Sequence, residues 1–353
     1  MSHDIAMKGG GYYSLATVGA KHVIDSAIPL VLEAIGRMPA GQGPFAFADM
    51  GTADGGTSVD LVAAMVEAVR RGWPGREIAV IHTDQPRNDF NALVANVHGR
   101  PPIEGVFPLL SATSFYRQIL PSGSLDLGFS ATAMHWLSAK PCDISGHVQA
   151  VGAKGEELAR FARQGNADWQ TILLARAREL KVGGRLVLAN FCRDDQGRYL
   201  GHTGGVNMFD SFNRIWREFL AAGEIREDEY RAMTLPQYYK SLPEFTRPLT
   251  DPDHAVHAAG LRLERAETRV VPCPFAAEFA RKGDAVAFAK AYIPTLRSWT
   301  ESTFAAALDP VRPATARQGI MDRYYAAYEA SVRANPIGHG MDYVHAYLTI
   351  VRV

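Results

Sequence analysis

Short apolar runs alternate with stretches of helical periodicity between about residues 45 and 191, and this alternation limits the possible folds more than any other feature. The run FAFADM at Phe45–Met50 is followed by SVDLVAAMVEAVRR at Ser58–Arg71, whose apolar residues recur at helical spacing. The run IAVIH at Ile78–His82 comes next. Strands separated by helices of this length form a parallel sheet covered on both faces, so we predict an α/β, doubly wound fold.

Further runs complete the predicted sheet. A long amphipathic helix at Trp169–Leu180, closed by Val182-Gly183-Gly184, precedes the fifth strand. Two strand candidates follow a largely helical region, and the last alternates well enough to be an edge strand. After the first two, the strand candidates are Val106–Leu110, Leu125–Phe129, Arg185–Asn190, Leu263–Val271 and Tyr343–Val353.

The domain division follows from this order of elements. We predict a core of residues 1–191 together with the strands near 261–271 and 343–353. Residues 192–260 and 275–335 read mostly as helices and are predicted to form an α-helical cap. Such a cap would cover the carboxyl ends of the strands, where doubly wound sheets bind ligands.

Composition narrows the possible partners. The 353 residues contain 37 Lys and Arg against 37 Asp and Glu, and this neutral total gives no support for binding nucleic acid or an anionic membrane. The three cysteines are far apart in the chain, which predicts free thiols in a reducing compartment. No signal-peptide pattern or membrane-length apolar run is found, so we expect a soluble, cytoplasmic protein.

The loop after the first strand, DMGTADGGTS, is rich in glycine and acidic residues. Glycines at a strand-to-helix turn let the backbone approach a ligand closely. A dinucleotide site needs G-x-G-x-x-G, whereas this loop reads G-x-x-x-G-G and carries Asp49 and Asp54, which would repel a pyrophosphate. Asp49 suits the ammonium of an amino-acid ligand. Taken alone, the loop is equally compatible with an ordinary turn.

Asp84 follows the second strand. A carboxylate at this place can accept hydrogen bonds from both hydroxyls of a ribose. Loop and acid together favour a nucleoside ligand and leave two classes open, a methyltransferase and an NAD-dependent oxidoreductase.

The motifs beyond this point are those of a known family. MKGG at Met7–Gly10, followed by Tyr13, resembles the opening of the SABATH family of salicylate, benzoate and theobromine methyltransferases. The similarity covers nearly the whole chain. The other matching segments, in chain order, are ADMGTADGGTS at Ala48–Ser58, TDQPRNDFN at Thr83–Asn91, SFYRQILPSGSLDL at Ser114–Leu127, MHWLS at Met134–Ser138, GGRLVL at Gly183–Leu188 and LPQYYKS at Leu235–Ser241.

The resemblance implies the class I methyltransferase (Rossmann-like) version of the fold, with a mostly parallel seven-stranded sheet, and S-adenosyl-L-methionine as cofactor. It implies that separate sets of residues bind the methionine end of the cofactor, bind its ribose and adenine, and line the passage to the substrate. Phe115 could also be an ordinary core residue. The predicted cofactor-binding residues are Tyr13, Asp49, Gly51, Thr52 and Thr57 for the methionine end, Asp84, Gln85, Ser114 and Phe115 for the nucleoside, and Ser130 and Ala131 for the passage.

The same resemblance places the substrate carboxylate at His135 and Trp136, with Tyr13 beside them. Trp136 can donate its indole N–H while its ring walls the pocket. Without the family match, a Trp and a His after an apolar strand are more often core residues. The family's dimers imply a homodimer.

The expected reaction explains which residues are absent from the sequence. A carboxylate has a pKa of roughly 4 and is already a nucleophile at neutral pH. Alignment and exclusion of water suffice, so we predict no catalytic residue acting as a general base. No metal is expected, because Arg231-Ala232-Met233-Thr234 replaces the Asp-Ser-Phe-Asn segment that supplies a metal site in some family members.

Two departures leave the substrate open. Ala20 aligns with a Gln that helps hold the carboxylate in plant members, and Thr132 or Ala133 replaces a Tyr of the salicylate enzymes. We expect an aromatic or medium-chain aliphatic acid. The alternatives are N-methylation or hydroxyl methylation on the same fold, and a non-catalytic ligand-binding protein.

Overall fold

The computed structural model of the protein describes residues 18–99 and 101–353. Its strands match the predicted runs closely, and β1 begins and ends at the predicted residues. The strands are β1 (Phe45–Met50), β2 (Ile78–Thr83), β3 (Val106–Ser111), β4 (Leu125–Ala131), β5 (Leu180–Arg193), β6 (Lys240–Ser241), β7 (Leu261–Val271) and β8 (Tyr343–Arg352).

Helices cover the sheet and fill most of the chain between β5 and β8. They are α1 (Val18–Gly36), α2 (Val59–Gly72), α3 (Phe90–His98), α4 (Gly155–Glu179), α5 (Met208–Ala221), α6 (Glu227–Ala232), α7 (Leu242–Thr250), α8 (Ala255–Ala258), α9 (Pro274–Lys282), α10 (Ala285–Ala307) and α11 (Ala314–Ala334). Within the described ranges, none of these helices has the length and apolar character that crossing a membrane requires. All three cysteines are free, as predicted.

The sheet has the strand order β3-β2-β1-β4-β5-β8-β7, and the short β6 pairs with β5 off this path. β1 to β5 run parallel, whereas β8 is antiparallel to both of its neighbours, β5 and β7. This arrangement confirms the predicted doubly wound, mostly parallel sheet of seven strands. Because the chain reverses its order at β1 and β4, the loops after these strands diverge and open a crevice at their carboxyl ends.

The prediction that the last strand lies at the sheet edge is wrong. β8 is an inner strand, and eight of its ten residues are buried. Its alternating polar side chains suggested an exposed face, but they pack against α1 and the neighbouring strands. The Tyr347 hydroxyl, for example, donates to the Val23 carbonyl (3.2 Å). The edge position belongs to β7.

Two predicted boundaries next to the fifth strand are also wrong. The helix predicted at Trp169–Leu180 begins at Gly155. The sequence did not reveal this beginning, because seven of the fourteen residues before Trp169 are polar and weaken the apolar periodicity. Val182-Gly183-Gly184 does not close this helix and lies within β5. Gly183 has φ +80° there, and the register between β4 and β5 shifts between Leu125 and Leu127.

A cluster of aromatic side chains joins α5, α10 and α11. Trp216 and Tyr324 stack with ring centroids 3.9 Å apart, and Phe212 packs edge-on to Trp299 at 6.0 Å. Aromatic pairs of this kind stabilise a packed interior beyond the area they bury. The cluster fixes Trp299 beside the crevice above the sheet.

Candidate active site

The carboxyl ends of β1, β2 and β4 lie side by side and bring three loops together. Gly51, directly after β1, has φ +79°, a conformation that favours glycine. A Cβ atom at this position would lie 2.5 Å from the Cβ of Ala133 in the loop after β4. The glycine therefore lets two loops of the site approach each other closely.

Asp49, the residue before the end of β1, is buried at the base of the crevice. Its Oδ2 accepts hydrogen bonds from the hydroxyls of Thr52 (3.0 Å) and Ser58 (2.7 Å). The Nδ1 of His82 lies 3.8 Å from the same oxygen. These partners fix the carboxylate, and a buried negative charge at this place favours a cationic ligand.

Asp84 shapes the loop after β1 from the neighbouring strand. Its Oδ2 accepts from the N–H of Ala53 (2.8 Å), and its Oδ1 accepts from that of Gln85 (2.7 Å). Burial raises the pKa of this carboxyl, the two backbone hydrogen bonds oppose the shift, and the charge of Asp49 adds to it. A positively charged ligand between the two acids would relieve this repulsion.

A cavity with an empty volume of about 270 Å³ lies beside Asp49. It is formed by the loop after β1, by α1 and by the end of β4. Its lining residues are Ile24, Asp49, Gly51, Thr52, Thr57, Ser58, Phe129, Ala131 and Thr132.

The loop that contains Ser114 and Phe115 is held from below by a buried ion pair of α4. Arg176 donates to the carbonyl of Phe115 (3.0 Å) and to both carboxylate oxygens of Glu179 (2.6 and 2.7 Å). The Phe115 ring lies 3.8 Å from the place of a Cβ at Gly51. The ring thus faces the loop after β1, in addition to its partly buried contacts with the core.

A second cavity, with an empty volume of about 380 Å³, adjoins the first. Thr132 lines both cavities and has φ +55°, so the chain turns sharply between them. The residues that line the second cavity are Ala20, Thr132, His135, Trp136, Phe191, Leu200, Gln237, Trp299, Met341 and Tyr343.

Three buried nitrogen atoms of this lining have no hydrogen-bond partner among the residues that the structure describes. They are Nδ1 of His135, Nε1 of Trp136 and Nε2 of Gln237. Burial lowers the pKa of His135 to about 3, so its imidazole is neutral at physiological pH. Unpartnered polar groups are rare in protein interiors, and a cluster of them in a cavity indicates a ligand that pairs with them.

The segment at Trp136 is fixed from two sides. The hydroxyl of Tyr116 donates to the Trp136 carbonyl. On the other side Trp136 forms an isolated antiparallel bridge with Gln237. The N–H of Leu137 donates to the Pro236 carbonyl (2.8 Å). These contacts fix the main chain at Trp136 and so hold the indole N–H in position.

The predicted residues fall into several groups in the structure. Asp49, Gly51, Thr52, Thr57 and Ala131 meet around the first cavity, and His135 and Trp136 meet in the second. Asp84, Gln85, Ser114 and Phe115 stand on the loops beside the first cavity. Ser130 is fully buried within β4, which extends to Ala131, and its hydroxyl donates to the Met50 carbonyl (2.7 Å). Tyr13 lies outside the described residues.

The sequence-based assignment missed most of the second cavity. Phe191, Leu200, Trp299, Met341 and Tyr343 come from distant parts of the chain and belong to no common motif. Gln237 lies inside the segment LPQYYKS, which the family resemblance singles out, so its position carried a usable signal.

Comparison with known proteins gives consistent results. A family model described as "SAM dependent carboxyl methyltransferase" matches residues 3–351. An O-methyltransferase, acrG, of Aspergillus aculeatus is 27% identical over 265 residues, which are 71% of this chain and 68% of that protein. Indole-3-acetate O-methyltransferase 1 of Arabidopsis thaliana is 28% identical over 283 residues, covering 68% and 71%. A solved structure of loganic acid methyltransferase with SAH has the same fold, with a TM-score of 0.81, 22% identity and 98% coverage of both chains.

Proposed function

This chain belongs to the family of S-adenosylmethionine-dependent carboxyl methyltransferases, and on that premise we propose that it forms the methyl ester of a small aromatic or medium-chain aliphatic acid. S-adenosyl-L-methionine, the cofactor of the family, supplies a methyl group attached to a positively charged sulfur. The observation that carries the proposal is the pair of adjoining cavities that share Thr132. One is lined by an acid, and the other by N–H donors that have no partner among residues 18–99 and 101–353.

The residues of the first cavity fit this cofactor. Its ammonium group is cationic and suits Asp49, which lines the cavity. Asp84 stands on the adjoining loop and offers a carboxylate to the ribose hydroxyls. Gly51 keeps the floor free of a side chain. The family match also sets aside the NAD-dependent oxidoreductase that the sheet alone leaves open. In this proposal three sets of residues contact the cofactor. The methionine end is held by Asp49, Gly51, Thr52 and Thr57, the nucleoside is held by Asp84, Gln85, Ser114 and Phe115, and the passage to the substrate is bordered by Ser130 and Ala131.

The residues of the second cavity align the acid. A carboxylate with a pKa of roughly 4 needs no base to become a nucleophile. The Trp136 indole donates to one carboxylate oxygen, and the neutral His135 stands beside it without adding a charge. The surrounding apolar walls exclude water, which strengthens these contacts and favours attack.

The walls of the second cavity point to a compact acid with few polar groups. Phe191, Leu200, Trp299 and Met341 offer aliphatic and aromatic surface. Such walls suit an aromatic ring or an alkyl chain and offer little to a strongly polar substrate.

A screen tests the proposal. The purified protein is incubated with S-adenosylmethionine and benzoate, salicylate, indole-3-acetate, cinnamate and fatty acids of graded length, and methyl esters are detected by mass spectrometry. We expect esters from compact acids and none from long chains. Cofactor binding without an ester from any acid would contradict the proposal and favour N-methylation or a non-catalytic role.

A matched pair of variants ties the activity to the cavity. Trp136→Phe removes the indole N–H and should raise KM for the acid roughly 10- to 100-fold, as expected for a lost hydrogen bond to a charged group. Trp216→Phe is the control, because Trp216 is also buried with an unpartnered Nε1 but belongs to the aromatic cluster. An equal effect of both variants on KM would contradict the role of Trp136.

The proposal includes the cap and the assembly. Leu200 and Trp299, from residues 192–260 and 275–335, line the second cavity and support a cap over the substrate. A homodimer is expected from the family resemblance, and light scattering after size-exclusion chromatography tests it. A cytoplasmic location rests on the three free cysteines and is tested by cell fractionation.

A further inference from the structure

Gln237 is one of the residues that line the second cavity. Its side chain is fully buried, and its backbone neighbours are bound to the strand-end segment of Trp136. The N–H of Tyr238 donates to the His135 carbonyl (3.1 Å), and the Pro236 carbonyl accepts from Leu137 (2.8 Å). Gln237 and Trp136 are therefore paired across this antiparallel bridge, and both line the same cavity.

The orientation of the Gln237 amide follows from Tyr239. The Tyr239 hydroxyl donates to Oε1 of Gln237 at 3.0 Å. Burial raises the pKa of this phenol well above its usual range, so it keeps its proton and acts as the donor. With Oε1 engaged, the Nε2 end remains as a donor, and it has no partner among the described residues.

The described residues that line the cavity carry no positive charge, and this bears on how it could hold an acid. None of the ten described residues that line it is Lys or Arg, and its histidine is neutral. Among these described residues, the side chains that can hold a carboxylate are neutral N–H donors. Such donors hold the anion in place without neutralising its charge, which keeps it nucleophilic.

A carboxylate has two oxygens, and the indole of Trp136 and the amide of Gln237 are two fixed N–H donors that have no partner within the described part of the chain. We infer that Gln237 donates a hydrogen bond from Nε2 to the substrate carboxylate, beside the indole N–H of Trp136, and so helps to select acids; this inference rests on the proposed function. His135 lines the same cavity with a neutral imidazole, so the described lining residues offer an anion hydrogen-bond donors and no positive charge.

The test compares Gln237→Met with Gln149→Met in the full chain. Gln149 is a matched control, because it is also fully buried with an unpartnered Nε2 while its Oε1 accepts from Val151 (2.6 Å), and it lies outside the group that lines the cavity. For an acid that the wild-type protein esterifies, Gln237→Met should raise KM about 10- to 100-fold. Its kcat should fall much less, and its affinity for S-adenosylmethionine, measured by calorimetry, should be unchanged.

Gln149→Met should leave KM within about twofold of the wild type. Tyr239→Phe serves as a second variant in case Gln237→Met does not fold, because it frees the amide to rotate and should raise KM roughly 3- to 10-fold. A folded Gln237→Met or Tyr239→Phe protein with wild-type KM would overturn the inference and leave the proposed function intact. A wild-type protein that esterifies no acid would overturn the proposed function itself.

Discussion

The hydroxyl of Tyr116 donates a hydrogen bond to the main-chain carbonyl of Trp136. It connects the loop that carries Phe115, beside the first cavity, to the wall of the second. Burial, with a further contribution from the charge of Asp168, raises the pKa of Tyr116 above its usual value, so the donor persists at every working pH. The contact gives a physical link between the two halves of the site.

Tyr116→Phe should loosen this link. The buried Trp136 carbonyl would lose its partner, at a cost of about 1–3 kcal/mol in the free energy of unfolding. Steady-state kinetics should show a higher KM for the acid together with a lower kcat. Tyr230→Phe, which removes a hydroxyl bonded to Asn213 in the helical region, is the control and should change stability alone. Unaltered kinetics in Tyr116→Phe would show that the link has no functional role.

Gly51→Ala tests the close approach of the two loops. The new Cβ would lie 2.5 Å from the Ala133 Cβ, in a backbone conformation with φ +79°. We expect a roughly 10-fold or greater loss of affinity for S-adenosylmethionine, because the loops must move apart. Gly43→Ala is matched, since φ is +71° and nothing lies within 4 Å of its Cβ. Equal effects on cofactor affinity in the two variants would rule out the overlap as the cause.

Asp84→Asn tests the nucleoside assignment. The amide would face the N–H donors of Ala53 and Gln85 and could no longer accept as an anion, so affinity for S-adenosylmethionine should fall roughly 100-fold. Asp284→Asn is the control, because Asp284 also accepts from two backbone N–H groups but caps α10 far along the chain. Calorimetry measures both, and near-normal affinity in Asp84→Asn would refute the assignment.

The buried histidines predict how stability depends on pH. Burial lowers the pKa of His135 to about 3 and that of His345 well below its usual value, and their rings lie 4.7 and 4.2 Å from Phe191. In the unfolded chain both titrate near pH 6.5, so below that pH the unfolded state binds more protons. The free energy of unfolding should therefore decrease as the pH falls from about 6.5, by up to about 1.4 kcal/mol per pH unit for each ring.

Urea unfolding at a series of pH values checks this prediction. His345→Phe should make the decrease shallower, whereas replacement of the exposed His98 by Gln should leave it unchanged. The same slope in wild type and His345→Phe would mean that His345 is not held neutral in the folded state.

The extent to which the sequence predicts this structure differs between the sheet and the site. The runs at β1 and β2 are continuous and apolar because these strands are buried on both faces, so their positions can be read directly. The inner position of β8 could not, because its polar side chains look like an exposed face in the sequence, whereas they are buried and the Tyr347 hydroxyl donates to the Val23 carbonyl. Burial of a polar residue depends on partners that are remote in the chain.

This dependence on remote partners also explains which candidate site residues could be identified from the sequence. Gly51, Asp84 and Trp136 follow strands, and the roles proposed for them depend on their position in a known kind of sheet. Leu200 lies in the loop between β5 and α5, and Trp299 packs against Phe212 of α5, so no local pattern in the sequence places either residue at the second cavity. That Nε2 of Gln237 has no partner in the described part of the chain depends on its three-dimensional neighbours, which the sequence does not show.

The most direct test of carboxyl methylation is the nature of the product bond. The protein is incubated with an accepted acid and S-adenosylmethionine that carries a deuterated methyl group, and the product is analysed by mass spectrometry before and after mild alkaline hydrolysis. We expect one deuterated methyl group per molecule, released as methanol with recovery of the free acid. A deuterated product that resists hydrolysis would show methylation at nitrogen or a hydroxyl and would rule out carboxyl methylation.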